Sequence, residues 1–171
     1  ITYKQVDLLE NGDFDFEGIK NAINARTKMV TIQRSKGYAT RPTLSVERIE
    51  ELIHFIKDIR PDLICMVDNC YGEFVQDREP IEVGADIAVG SLMKNLGAGI
   101  ATSGAYIVGK RELIELCAER LTSPGIGKEI GPSLNQNTLL LKGLFFAPSV
   151  VASSIKTAVF ASRILEELGY Q

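Results

Sequence analysis

The sequence predicts an α/β fold: a mostly parallel sheet with one antiparallel strand and helices on both faces. Three observations carry this. Segments with helical spacing of apolar residues alternate with short apolar runs, the pattern of a sheet layered with helices. Two of those runs, "LICMVD" and "ADIAVGSL", are continuously apolar, as strands covered on both faces are. The link from Lys94 to the next run, "SGAYIVG", is the short Gly-rich "NLGAGIAT", too short for a helical crossover, so that run pairs antiparallel.

The elements follow in order. "FDFEGIKNAIN" sets Phe16, Ile19 and Ile23 at helical spacing, with Asp13 or Asp15 as N-cap. "KMVTIQR" reads as a strand. "TLSVERIEELIHFIKDIRPD" gives the clearest helix: Val46, Ile49, Ile53 and Ile56 form one stripe, Ser45 or Thr43 caps it, and Pro61 lies just past its end. The strands "LICMVD", "ADIAVGSL" and "SGAYIVG" come next, then the helix "KRELIELCAERL" and the loop "SPGIGKEIGPS". From about Leu139 to Leu168 the pattern gives one or two long helices, bent near Pro148.

The chain has 171 residues, 45% hydrophobic and 24% charged, with net charge −3, which fits one domain with a sizeable core. That charge does not favour nucleic acid or an anionic membrane as the main partner. No apolar run is expected to reach bilayer length and no signal peptide opens the chain, while Cys65, Cys70 and Cys117 form no CxxC pair. Sparse, odd-numbered thiols point to a reduced, cytoplasmic setting. A start at Ile1 and a stop at Gln171, just after a helix and its Gly, are expected of a segment of a longer polypeptide.

In open α/β sheets ligands bind at the carboxyl ends of the strands. Three runs deliver polar groups there: Arg34 and Ser35 after "MVTIQ", Asp68 and Asn69 after "LICMV", and Ser91 and Lys94 after "DIAVG". An Asp and a Lys on neighbouring strand ends can be a plain ion pair. Alternatively Lys94, placed before a Gly-rich turn, points into a confined cleft, where desolvation lowers its pKa and makes it a nucleophile towards an aldehyde.

Asp68 followed by "VGADIAVGSLMK", residues 83–94, resembles the pyridoxal 5'-phosphate (PLP) enzymes of fold type I, in their cystathionine and methionine metabolism branch. Within it, "IQRSKGY", "VDNCYGEF", "SLMKNLGAGIATSGAYIVG" and "LTSPGIGKEIG" together resemble the aluminium-resistance, or methionine gamma-lyase-like, group. The resemblance covers essentially the whole chain. It implies that residues 1–171 are the central part of a PLP-binding large domain, with an N-terminal segment and a C-terminal small domain outside this chain.

The resemblance also implies roles. Lys94 would hold PLP as a Schiff base, and Asp68 would face the pyridine nitrogen and keep it protonated. Ser91 would donate to the cofactor phosphate; relatives often add a hydroxyl residue just before the lysine, where this chain has Met93. Tyr71, three residues after Asp68, would bond the phenolic oxygen of PLP, the alternative being a core tyrosine. Asn69 joins the cofactor-binding set. Where the branch has an "ESPxNP" turn, this chain has "QRSKGYATRPT"; Tyr38 or Arg41 could fill that space, or a surface loop.

The expected activity is a PLP-dependent carbon–sulfur lyase acting on a sulfur amino acid, a small-molecule substrate, in a homodimer or homotetramer. PLP-dependent aminotransferase chemistry is the second reading. A non-catalytic module with a structural Asp–Lys pair is the third. "SPGIGKE" is rejected as a nucleotide loop, since Thr122 stands where the pattern needs Gly and Glu129 where it needs Ser or Thr. His54 reads as a helix-edge residue, Lys128 as part of a solvated loop, and Glu73 either orients the Asp68 turn or is exposed.

Overall fold

A computed structural model describes residues 1–121 and 123–170, so Thr122 and Gln171 lie outside it. Helix α1 spans Phe16–Ala22 and strand β1 Met29–Gln33. Helix α2 (Val46–Ile59) and strand β2 (Ile64–Asp68) follow, then β3 (Ile87–Ser91) and β4 (Ala105–Gly109). Helices α3 (Arg111–Leu121) and α4 (Asn137–Glu167) complete the order read from the sequence.

The sheet runs β1-β2-β3-β4. β1 pairs parallel with β2 from Met29↔Ile64 to Gln33↔Asp68, and β2 with β3 from Met66↔Ile87 to Asp68↔Val89. β4 returns antiparallel to β3, with Ser91 opposite Ala105. The short Gly-rich link leaves room for nothing else. This register sets the carboxyl ends of β1, β2 and β3 side by side.

Asp15 caps α1 by accepting from the Gly18 N–H at 2.8 Å, and Ser45 caps α2 by accepting from Arg48 N–H at 3.3 Å. Each relieves one orphan donor of a first turn, worth about 1 kcal/mol. The α2 stripe of Val46, Ile49, Leu52, Ile53 and Ile56 is fully buried. All of it but Val46 joins Phe14, Ile32, Leu63, Cys65 and Val67 in one core on a single face of β1 and β2. Each such side chain contributes roughly 1.5–3 kcal/mol of burial, so this half of the chain anchors the rest.

The other half is more open. Among the described residues α3 buries none of its side chains, and α4 buries only Gly143, Ala147 and Val151. α4 is one continuous helix through Pro148. It seats on the turn after Lys94: a Cβ at Gly143 would stand 2.7 Å from the Gly97 carbonyl oxygen, so only glycine allows this approach.

One expectation is corrected here. α4 is 31 residues long and apolar enough, by length and composition, to cross a bilayer. Lys142 and Lys156 break the apolar run in the sequence, but the helix continues through both. Ser149, Ser154 and Thr157 donate to carbonyls within the helix, at Phe146, Val150 and Ser153.

Candidate active site

β2 ends at Asp68, and the chain turns sharply over residues 69–72, with Gly72 N–H donating to Asn69 O at 2.8 Å. The Asp68 backbone carbonyl accepts from Arg34 N–H at 3.0 Å, and Asn69 N–H donates to Val89 O at 2.8 Å. The turn is thereby sewn to both flanking strands. Its third residue, Tyr71, takes a left-handed conformation with φ 66°, uncommon for a bulky side chain.

β3 ends at Ser91, and Lys94 starts a single turn of 3-10 helix over Asn95–Gly97. The Lys94 ammonium lies 4.5 Å from the centroid of the Tyr71 ring. The Cys70 thiol interacts with the side chains of both Asp68 and Lys94. One Asp68 oxygen accepts from Cys70 N–H at 3.1 Å. Ser91 Oγ accepts from Met93 N–H at 3.1 Å, which leaves its own proton free to donate. Lys94, Asp68, Ser91, Cys70 and Tyr71 thus converge at the carboxyl end of the sheet. Among the described residues, no ion pair joins Asp68 to Lys94.

The expected depression of the Lys94 pKa is corrected. Its surroundings raise it: the Cys70 interaction contributes most, with further help from the Tyr71 and Asp68 charges, against a smaller desolvation effect. The amine is partly open to solvent, so burial cannot dominate. Burial and the hydrogen bond with Asp68 push the Cys70 thiol up.

Beneath the turn lies a buried polar network. The Arg34 guanidinium, 2% exposed, donates through one nitrogen to Asn69 Oδ1 at 2.7 Å and Gly72 O at 3.1 Å, and through another to Gln76 Oε1 at 2.9 Å. Glu79 lies 3.6 Å from it. Asn69 spends its amide N–H groups on Glu79 at 2.9 Å and Tyr106 Oη at 3.3 Å. Asn69, expected beside the cofactor, therefore has its side chain engaged below the turn. Tyr106 donates to Glu73 Oε1 at 2.8 Å, and burial raises the Glu73 pKa. Glu73 is buried rather than exposed, and its Oε2 has no partner.

Arg41 donates to the carbonyls of Gln33, Ser35 and Pro42, closing residues 35–42 on themselves, while Tyr38 is fully exposed. Neither side chain enters the cluster as placed. Tyr106 and the buried role of Arg34 were missed in the sequence. The available signal was Gly90 paired opposite Tyr106, a small residue making room for a large one.

The model for methionine gamma-lyase matches residues 1–171. The chain belongs to the methionine gamma-lyase family. A solved structure from Listeria monocytogenes, of a protein involved in aluminium resistance and provisionally named a cystathionine beta-lyase, is 53% identical with TM-score 0.94, covering 98% of this chain and 41% of that one. A carbon–sulfur lyase involved in aluminium resistance from Clostridium novyi is 43% identical with TM-score 0.92, covering 99% of this chain and 40% of that one. YnbB of Bacillus subtilis, named without a function, is 52% identical over 170 residues, 99% of this chain and 40% of the relative. The chain thus spans about 40% of the length of these methionine gamma-lyase family members.

Proposed function

We propose that this chain is the cofactor-carrying part of a cytoplasmic, PLP-dependent carbon–sulfur lyase acting on a sulfur amino acid, working as a homodimer or homotetramer. The observation that carries the reading is an amine and a carboxylate at the ends of adjacent strands, facing the same cluster without pairing with each other. The donor set fits PLP: an amine for its aldehyde, a carboxylate for its ring nitrogen, and a hydroxyl with a free proton for its phosphate.

When bound, PLP supplies an electron sink for negative charge developing at the substrate α-carbon. The protein's part is then binding and proton handling. Lys94 would hold the aldehyde carbon, and its amine would be the group placed to move the α-proton. Because the surroundings of Lys94 favour its protonated form, the amine must shed a proton before bonding carbon, so cofactor uptake accelerates as pH rises. Asp68 would keep a proton on the ring nitrogen by its charge. Ser91 would donate to the phosphate. Tyr71 lies against the Lys94 amine and favours its charged form.

The test uses the complete protein, incubated with PLP, reduced with borohydride and mapped by peptide mass. A pyridoxyl group on Lys94, with 2-oxoacid and volatile thiol released from methionine, homocysteine or cysteine, is the expected result. Label on Lys94 with amino-group transfer and no thiol moves the reading to an aminotransferase. No label on Lys94 overturns it.

A further inference from the structure

We propose that Arg34 is a positioning residue for Lys94: by clamping Asn69 and Gly72 it fixes the turn that holds the Tyr71 ring against the Lys94 amine. The inference rests on the proposed function only for its catalytic meaning; the geometry is independent of any cofactor.

One guanidinium nitrogen of Arg34 bonds Asn69 Oδ1 and Gly72 O. These two residues bracket Cys70 and Tyr71, so a single donor group closes both ends of the turn from below. The fit leaves no slack. A Cβ at Gly72 would fall 2.4 Å from an Arg34 nitrogen and 2.6 Å from Asn69 Oδ1. A second guanidinium nitrogen is held by Gln76, which also accepts from Val46 N–H at 2.9 Å, so the clamp is fastened to the start of α2.

The turn needs such a clamp. Tyr71 and Phe74 both sit at positive φ, 66° and 62°, conformations that side chains with a Cβ leave unless the surroundings hold them. The Tyr71 ring is 57% exposed, so core packing does not fix it. Its place near Lys94 is set by its backbone, and that backbone is set by what Arg34 grips. A buried cation is costly unless its partners are well arranged, and here the arrangement spans residues from 69 to 79. Lysine cannot reproduce it, because its three donors sit on one nitrogen, whereas the guanidinium sets two nitrogens apart in a rigid plane, one for Asn69 and Gly72 and the other for Gln76.

The experiment uses the complete protein freed of carbonyl cofactor. Acetic anhydride acylates it across a pH series, and the rate at Lys94 is read by peptide mass. Tyr71→Leu removes the ring and lowers the midpoint by roughly half a pH unit, whereas Tyr71→Phe keeps it. Arg34→Lys is expected to lower the midpoint as Tyr71→Leu does, and the double variant to go no further, since both changes remove one interaction. A folded Arg34→Lys protein with the wild-type midpoint, or two shifts that add, overturns the inference. If Arg34→Lys does not fold, Asn69→Ala removes one end of the clamp and is held to the same two outcomes. Loss of PLP trapping at Lys94 in the wild type sinks the proposed function but leaves this titration readable.

Discussion

Asn95 Nδ2 donates to the backbone carbonyl of Glu73 at 3.0 Å. This bond joins the turn that follows Lys94 to the loop that follows Asp68, across two strand ends. Replacing Asn95 with Ala leaves a partly buried carbonyl unpaired and costs about 1 kcal/mol; Asn95→Asp costs more, because a carboxylate then faces a carbonyl. Urea unfolding of the complete protein reads both. An Asn95→Asp variant as stable as the wild type would mean the two loops are not joined in this way.

Asp86 is a buried acid with three partners. It accepts from Lys57 at 2.7 Å, Lys110 at 2.6 Å and the Cys65 N–H at 2.7 Å, and it is almost fully buried. It pins α2, β2 and the far end of β4 together, away from the site. Removing it leaves the buried Cys65 N–H without its acceptor and unpairs two ammonium groups that still reach solvent, so Asp86→Ala is expected to cost about 1–3 kcal/mol. Lys57→Met costs less, and Lys110→Met least, since Lys110 is more than half exposed. The Asp86 pKa is lowered: burial acts to raise it, and the hydrogen bonds from Lys110, Lys57 and Cys65 outweigh that. Its stabilisation is therefore complete above the ordinary aspartate pKa and is lost as pH falls through the depressed folded value. Unfolding midpoints from pH 7 down to pH 2 check this; the acid-side slope should be shallower in Asp86→Asn.

How much of this was legible beforehand depends on the range of the interaction. Local signals were clear. The α2 stripe, the Ser45 cap and the short antiparallel link are properties of neighbouring residues, and the structure matches them. Asp68 and Lys94 were readable because each ends an apolar run, and strand register then brings them to one edge. Arg34, Asn69, Glu73 and Tyr106 were not readable as a group. Their hydrogen bonds join residues up to 42 positions apart, and only three-dimensional packing assembles them. The direction of the Lys94 shift was misjudged for a related reason: it depends on how open the amine is and on a thiol on another strand end. α4 was misjudged in apolar length because Lys142 and Lys156 break the run in the sequence while the helix carries on through both.

Glu73 gives the opposite pH signature to Asp86. Burial is the largest effect on it and raises its pKa, so its folded value lies above its unfolded one. Its contribution is then fully present below the ordinary glutamate pKa and is lost as pH rises through the folded value. Glu73→Gln keeps an acceptor for Tyr106 and removes the titration. We expect the variant to lose stability less steeply than the wild type between pH 4 and neutrality, read by thermal unfolding across that range. Parallel curves for the two proteins would mean that Glu73 does not titrate in this window.

Gly143 is where α4 meets the turn that carries Lys94. Alanine at this position ought to help an isolated helix by about 1 kcal/mol. In the folded protein its Cβ would lie 2.7 Å from the Gly97 oxygen and 3.0 Å from that residue's C and Cα, all backbone atoms that cannot rotate away. Gly97 is itself hemmed in, since a Cβ there would meet the Leu92 carbonyl at 2.1 Å, so the turn has no room to retreat. Either α4 lifts or the turn shifts, and overpacking of this kind costs roughly 1–3 kcal/mol. Gly143→Ala is therefore expected to lower the melting temperature of the complete protein while raising the helicity of an isolated α4 peptide. The same variant should slow PLP trapping at Lys94, because the displaced turn is the one on which that amine stands. Unchanged melting with unchanged trapping would show that α4 does not bear on the site.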